Sequence, residues 1–449
     1  MMNYKISIKL HSFTDHSIKG TFGIFGLHSY RVAMKILHDI YERDNLLYIV
    51  IDRYGNYKNL VKSDGAIFLR VGSNVSLNIF HHNKINHEEY IIMLTEMLQR
   101  TLGLDNEHTG ILIEILLELF SNEHNPSLSL LINGLKTRQS LAGSYELSKI
   151  ASLIRLLYPL YLGSGLLAFD KGCKYLFDDI EYSSKPVIFD LSKLSSTEAK
   201  NLASLIIILK LDILNIDDHI LFIDSVNQLF IHETSQKLRT TSFQLIFDII
   251  DKFLRRNVII GLSSPSIIDV NPSLIARLST LLIAKEVLPQ THNIYKEYSS
   301  IKKNEWILIS NDLSEPIIIN IDLDPWILSE IDDEELSKLM KTLGYEFVTQ
   351  IDINKISLPT ILETLFKDRS TAASDLLNHA SLMLLTRSEA INILKKYNMN
   401  VEECEELIDS AIMHNLLKEL VISGRKLLHI TTQGSVVLNE YKLKRGEYN

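Results

Sequence analysis

The sequence predicts an α/β protein: a parallel sheet with helices on both faces, an α-helical insertion, and a C-terminal module of helices closed by a hairpin. Three observations predict it. Short, continuously apolar runs alternate with stretches of helical spacing over residues 21–51 and again over 186–284, as in sheets whose strands are buried on both faces. Residues 87–180 read mostly as helix. The chain then ends in the order helix, helix, helix, hairpin.

Thr21 to Phe25 is a short apolar run expected as the first strand. Tyr30 to Tyr41 has helical spacing, with Val32, Ile36, Leu37 and Ile40 on one face. Leu46 to Ile51 reads as a second buried strand, ending in the turn Asp52-Arg53-Tyr54-Gly55. Together they make a parallel β–α–β unit. Ile91 to Leu104, Ile111 to Phe120 and Leu147 to Leu157 show apolar spacing of three and four residues, separated by Gly and Asn breaks. They form the insertion. Strands at Pro186–Leu191, His219–Ile223, Asn257–Leu262 and Thr280–Ala284 alternate with helices at Ser196–Leu214, Thr241–Leu254 and Leu274–Leu278. Trp306–Ile309 and Ile317–Ile321 read as an edge hairpin. Helices at Ala373–Leu385, Ser388–Tyr397 and Val401–Leu417 precede short strands at Glu419–Ser423 and Lys426–Thr431, with a last helix from Gln433. That order is the pattern of a winged helix. The expected domains are 1–86 and 181–345 as two parts of one core, 87–180 as the insertion and 346–449 as the winged helix.

Composition narrows the class of function. The chain of 449 residues is 46% hydrophobic and 22% charged, an ordinary globular composition. Its net charge of −9 argues against a protein coated in non-specific nucleic-acid charge, while leaving room for a local basic groove. Two cysteines, Cys173 and Cys404, fit neither a disulfide framework nor a thiolate zinc site, and a reducing cytoplasm is the expectation. The apolar runs Leu156–Phe169 and Leu202–Leu209 are shorter than the roughly 18–20 residues a spanning helix needs. Met1 to Leu10 shows no signal-peptide pattern, so no membrane partner is expected.

In open α/β sheets ligands sit at the carboxyl ends of the strands. The turn Gly23-Ile24-Phe25-Gly26-Leu27-His28-Ser29-Tyr30 occupies the place of a phosphate-binding loop. Such a loop needs G-x-x-x-x-G-K-[ST], because glycines admit phosphate to backbone N–H groups, lysine supplies charge and the hydroxyl holds Mg²⁺. Gly23 is in place. His28 stands where the last glycine belongs, Ser29 where the lysine belongs, and Tyr30 where the small hydroxyl belongs. Leu221-Phe222-Ile223-Asp224 has the form of a strand delivering a Mg²⁺-holding aspartate, but Ser225 follows where a catalytic glutamate belongs. Asp224 by itself also reads as a solvated strand-end carboxylate.

These residues in order resemble the HerA and conjugation-type (TrwB-like) branch of the FtsK–HerA superfamily of P-loop ATPases. Val50-Ile51-Asp52-Arg53-Tyr54-Gly55-Asn56-Tyr57 resembles its "viDp.gEY". Leu77-Asn78-Ile79-Phe80 resembles its "lNpl" and Val187-Ile188-Phe189-Asp190-Leu191-Ser192 its "vvfDls". Gly261-Leu262-Ser263-Ser264-Pro265-Ser266, followed by Leu278 to Ile283, resembles its sensor strand and successor, with Ser263 where the family has glutamine. The similarity runs over residues 15–325. It implies a RecA-like P-loop NTPase sheet, with Gly23, Gly26, His28, Ser29, Tyr30, Asp52 and Asp224 as a degenerate nucleotide site. It implies a pseudo-ATPase with no catalytic residue and no bound cofactor. Mg·ATP remains the alternative occupant, held by the N-terminal end of the first helix or by a lysine from elsewhere such as Lys19 or Lys35.

The third helix of the winged segment opens Val401-Glu402-Glu403-Cys404-Glu405-Glu406, and residues 360–449 hold 11 basic and 12 acidic residues. That favours protein contact over reading of the major groove. Arg425 and Lys426 on the wing, with Lys237 and Arg239, are the candidate DNA contacts. His81, His82 and His87 match no zinc template. The expected function is therefore a catalytically degenerate HerA-like subunit of an oligomer, made of itself or mixed with an active HerA-like subunit and associated with DNA. The alternatives are an active ATP-driven DNA translocase with an atypical loop, and a winged-helix regulator whose core oligomerises.

Overall fold

The computed structural model describes residues 20–442, apart from 83–84, 123–125, 162–163, 171, 230–241, 285–286, 288–304, 312, 347–359, 415, 423–424, 432–433, 436 and 439–440. The chain divides into two compact units, residues 1–120 with 156–356, and residues 121–155 with 357–449.

The first unit is built on a nine-stranded sheet. Its strands, with one small separate pair, are β1 Thr21–Phe25, β2 Tyr48–Asp52, β3 Ile67–Arg70, β4 Val75–Ser76, β5 Tyr175–Leu176, β6 Val187–Asp190, β7 Ile220–Ile223, β8 Ile259–Ser264, β9 Thr280–Ala284, β10 Glu305–Ser310 and β11 Ile317–Asn320. The order in space is β11-β10-β9-β1-β8-β7-β2-β6-β3. The seven strands from β9 to β3 run parallel. Strands β10 and β11 add an antiparallel edge, the expected hairpin. The register sets Gly23 beside Leu262 and Leu281, and Leu262 beside Ile223, so the strand ends of β1, β8 and β7 are neighbours.

Every residue of β1, β2, β3, β6 and β7 is buried, which is why β1, β2, β6 and β7 read as apolar runs. Helices cover the sheet. Ser29–Asp44 buries Val32, Ala33, Met34, Ile36, Leu37 and Ile40. Thr197–Leu214 is capped at its start by Ser196, whose side chain accepts from the Ala199 N–H, and ends on left-handed Asn215. It packs against both His87–Leu102 and Ser242–Arg255, and so is apolar almost all round. Even its Lys210 is buried, with the ammonium bonded to Asp178 at 2.9 Å and to the His81 carbonyl at 2.9 Å.

Several boundaries differ from expectation. Strand β1 has the expected bounds Thr21–Phe25, so Gly23, Ile24 and Phe25, which the phosphate-loop alignment also counted in the turn, pair with β8 on one side and β9 on the other. The third strand of the core, β3, and the helices Asn59–Asp64 and Asp333–Thr342 have no counterpart in the sequence reading, and Leu128–Leu141 falls in the stretch read mostly as helix without being delimited there.

In the second unit, helix Leu128–Leu141 packs on Ile361–Phe366. Three helices follow, Ser370–Leu382, Arg387–Leu394 and Val401–Met413, then the antiparallel strands β12 Leu417–Ile422 and β13 Arg425–Ile430. An isolated bridge joins Leu385 to Leu428. The expected helix through Leu417 stops at Met413, since Leu417 is drawn into the hairpin opposite Ile430. Leu376, Leu377, Ala380, Leu394, Cys404, Ile408, Leu417 and Leu428 make its core. Residues from Gln433 onward are described only in part.

Candidate strand-end site

The link from β1 to the following helix is Gly26, Leu27 and His28. Of its amides, that of Gly26 donates to the Ser264 carbonyl; past the link, Ser29 N–H donates to the Gly26 carbonyl and Arg31 N–H to the His28 carbonyl, each at 3.0 Å. His28 occupies the helix N-cap without a side-chain cap bond. A Cβ on Gly26 would lie 2.7 Å from the Ala284 Cβ and 2.9 Å from the Trp306 ring, and one on Gly23 would lie 2.6 Å from the Phe25 ring. Both glycines therefore serve close packing inside the sheet. Ser29 is buried, Tyr30 half-buried, and the Arg31 guanidinium sits 5.5 Å from the centre of the Tyr30 ring. Lys35, one turn further on, is held by Asp39 and Asp324 at 2.8 Å each. Lys19 lies outside the described residues.

The opposite part of the same edge is a row of charge. Asp224, just past β7, is buried and not solvated. Its Oδ1 accepts from Ser263 Oγ at 2.6 Å and from the Tyr57 hydroxyl at 3.5 Å, and its Oδ2 accepts from Ser225 Oγ at 3.0 Å. Burial raises its pKa, against those hydroxyl bonds. Asp52 ends β2 and ties its own turn: Oδ1 accepts from the N–H groups of Tyr54 and Gly55, and Oδ2 from that of Tyr57 at 2.9 Å. Burial, then the neighbouring charges of Asp190 and Asp224, push its pKa up to about 7. Asp190, ending β6, accepts from Arg70 Nε of β3 at 2.7 Å and from the Ser192 N–H at 2.8 Å. Arg70 also grips Asp333 at 3.1 and 3.2 Å, and Lys58 bonds Asp333 at 2.8 Å. Those bonds, Arg70's first, hold the Asp333 carboxyl far below the usual range.

No family model matches the chain, and no curated protein does. Solved structures do. VirB4 of Thermoanaerobacter pseudethanolicus superposes with a TM-score of 0.54 at 15% identity, covering 69% of this chain and 91% of that one. The plasmid coupling protein TrwB in complex with ADP and Mg²⁺ gives a TM-score of 0.49 at 12% identity, covering 75% of this chain and 92% of that one. The core has the RecA-like fold of VirB4.

On this VirB4-like sheet the expected site residues share one edge. Strand β8 separates β1 from β7, so Gly26 and Asp224 end strands two places apart, while Asp52 ends the strand beside Asp224's. Ser263, named in the sequence as a lost glutamine, turns out to bond Asp224. Arg70 and Asp333 were missed. The signal for Arg70 was a charge inside the run Ala66–Val71. Lys237 and Arg239 lie outside the described residues. Arg425 and Lys426 are exposed on β13, with Lys426 3.5 Å from Glu419. His82 meets His87 at 2.9 Å and stacks on Tyr90, while His81 bonds Asp178. Burial, then the charge of His87, push His82 down to about 4. Among the described residues no three metal-ligating groups gather, and no helix is long and apolar enough to cross a membrane.

Proposed function

We propose that the chain is a catalytically degenerate HerA-like homologue that works as a structural or DNA-associated subunit in DNA processing or translocation. One observation carries this reading: the β1 link and the helix start after it offer no lysine, with Ser29 and Tyr30 where the cation and the small hydroxyl belong, while Asp224 is closed by three hydroxyls. Phosphoryl transfer is driven by positioning and by charge that neutralises the developing oxyanions. Removing one such group costs about 10²–10³ in rate. Here the lysine, the Mg²⁺-binding hydroxyl and the catalytic glutamate are all replaced, and the residues do not fit Mg·ATP. Turnover near background follows.

The second unit supports a winged-helix reading through its helix order, its hairpin and the Leu385–Leu428 bridge, which lies where a third strand would pair. Glu402, Glu405, Glu406 and Asp409 are exposed on the helix that would read DNA, so a protein contact suits this face better than a phosphate backbone. The partner is a second copy or an active HerA-like subunit. DNA contact, where it occurs, falls to Arg425 and Lys426.

The test is ATP turnover by the purified chain with duplex DNA, together with the mass of the native particle with and without DNA and ATP. Turnover at background, unchanged by Asp224→Ala, is expected. Turnover well above background that disappears in Asp224→Ala would refute the proposal.

A further inference from the structure

Two cations at the end of β2 feel the charges of the carboxylate row through space but form no ion pair with it. Arg53 is 4% exposed. Its Nη1 donates to Asn201 Oδ1 at 2.8 Å. Asp224 and Glu198 act on it only through space. A guanidinium carries five N–H donors in a fixed fork, so among the described residues most of this fork has no protein acceptor, and none of its nitrogens is sealed away from solvent without a partner. Lys200 stands beside it, one turn into the Thr197–Leu214 helix. Its Nζ donates to the Arg53 carbonyl at 3.4 Å and lies 5.4 Å from the centre of the Tyr54 ring. No ion-pairing carboxylate reaches either cation among the described residues. Burial, then the charge of Arg53, hold Lys200 below the usual lysine range.

Gathering two like charges in a recess is unfavourable unless an anion completes the group. The nearest carboxylates do not complete it. The oxygens of Asp52, Asp190 and Asp224 are taken up by backbone, hydroxyl and Arg70 donors, and Glu198 is exposed at the start of the helix.

We propose that Arg53 and Lys200 form a binding site for a phosphate group at the carboxyl end of β2. The planar fork of arginine matches two phosphate oxygens at once, and lysine adds a point charge. Tyr54, 52% exposed beside them, presents a ring on which a base can stack. A free nucleotide and a single nucleic-acid strand carry the same phosphate chemistry. The site lies three strands from the β1 link and does not depend on the fate of ATP there.

Calorimetric titration of the full chain with inorganic phosphate, with Mg-free ATP and with a single-stranded oligonucleotide tests it. At least one probe binds, Lys200→Ala weakens it about tenfold and Arg53→Gln weakens it further. Binding by ATP and phosphate alone assigns a nucleotide, whereas binding by the oligonucleotide assigns a strand. Tyr54→Ala weakens only the probes that carry a base. Lys200 is half-exposed, so its variant decides the matter even where Arg53→Gln fails to fold. No binding by any probe, or affinities within about twofold after Lys200→Ala, would overturn the proposal. Measured ATP turnover reports on the strand-end reading separately.

Discussion

The two halves of one sheet edge are finished by opposite means. At the end of β1, small residues close the space, with Gly26 against Ala284 and Trp306 and its N–H on the Ser264 carbonyl. From β7 to β3, across β2 and β6, charge is packed at a density rarely left buried: Asp224, Asp52, Asp190 and Arg70 in succession. The first half holds by shape, the second by electrostatics in a poorly polarisable setting. A motor needs both at one point, free amides and cations around a single phosphate. Here the cations and the β1 link have come apart, and that separation, more than any single replacement, supports the reading of a scaffold.

The sharpest way to break this contrast is Arg70→Ala. It strands the fully buried Asp190 and releases Asp333, so a loss of about 3–5 kcal/mol in urea unfolding is expected. A loss under about 1 kcal/mol would show that the second half does not depend on its charges.

The next effect is a pH slope. Asp52 has a folded pKa of about 7, above the ordinary aspartate value of about 3.9. Between those values the folded state holds the proton that the unfolded state has lost, so stability falls as pH rises toward 7 and then levels off. About 2–3 kcal/mol should disappear between pH 5 and pH 8. In Asp52→Asn that slope should flatten, while the protein becomes weaker at all pH values because the Tyr57 amide loses its acceptor. An unchanged slope in the variant would place the titration elsewhere.

The same contrast explains what could be read in advance. The parallel strands were legible because each is buried on both faces, and the capped helix at Thr197 because Ser196 stands in front of it. Strand β3 was not, because Arg70 breaks its apolar run and its carboxylate partners lie 120 and 263 positions away. Helix Leu128–Leu141 was hidden by Asn133 and Gly134 in its interior. At the site, Asp52 and Asp224 were legible as strand ends, but the closure of Asp224 by Ser263 and Tyr57 depends on β7 lying between β8 and β2. Gly23 was placed in a turn because glycine signals turns. Its role in β1 is steric, and spacing carries no sign of that.

Two smaller effects probe the shape-held half. Gly26→Ala pushes a methyl into Ala284 and the Trp306 ring, and overpacking of this kind costs about 1–3 kcal/mol, readable as a lower urea midpoint. A neutral outcome would mean that β9 and β10 yield, and that the link has room to open around a ligand. His28→Ala is the smallest and the most pointed. The imidazole is exposed, makes no cap bond and touches only the edge of Tyr30, with ring centres 6.4 Å apart. Its removal should change stability by less than about 0.5 kcal/mol. It should also leave any calorimetric signal for ATP untouched, because the link carries no lysine to hold a phosphate beside it and the proposed anion site lies at the end of β2. A tenfold weakening of ATP by His28→Ala, with Lys200→Ala silent, would move the anion site back to β1 and reverse the contrast.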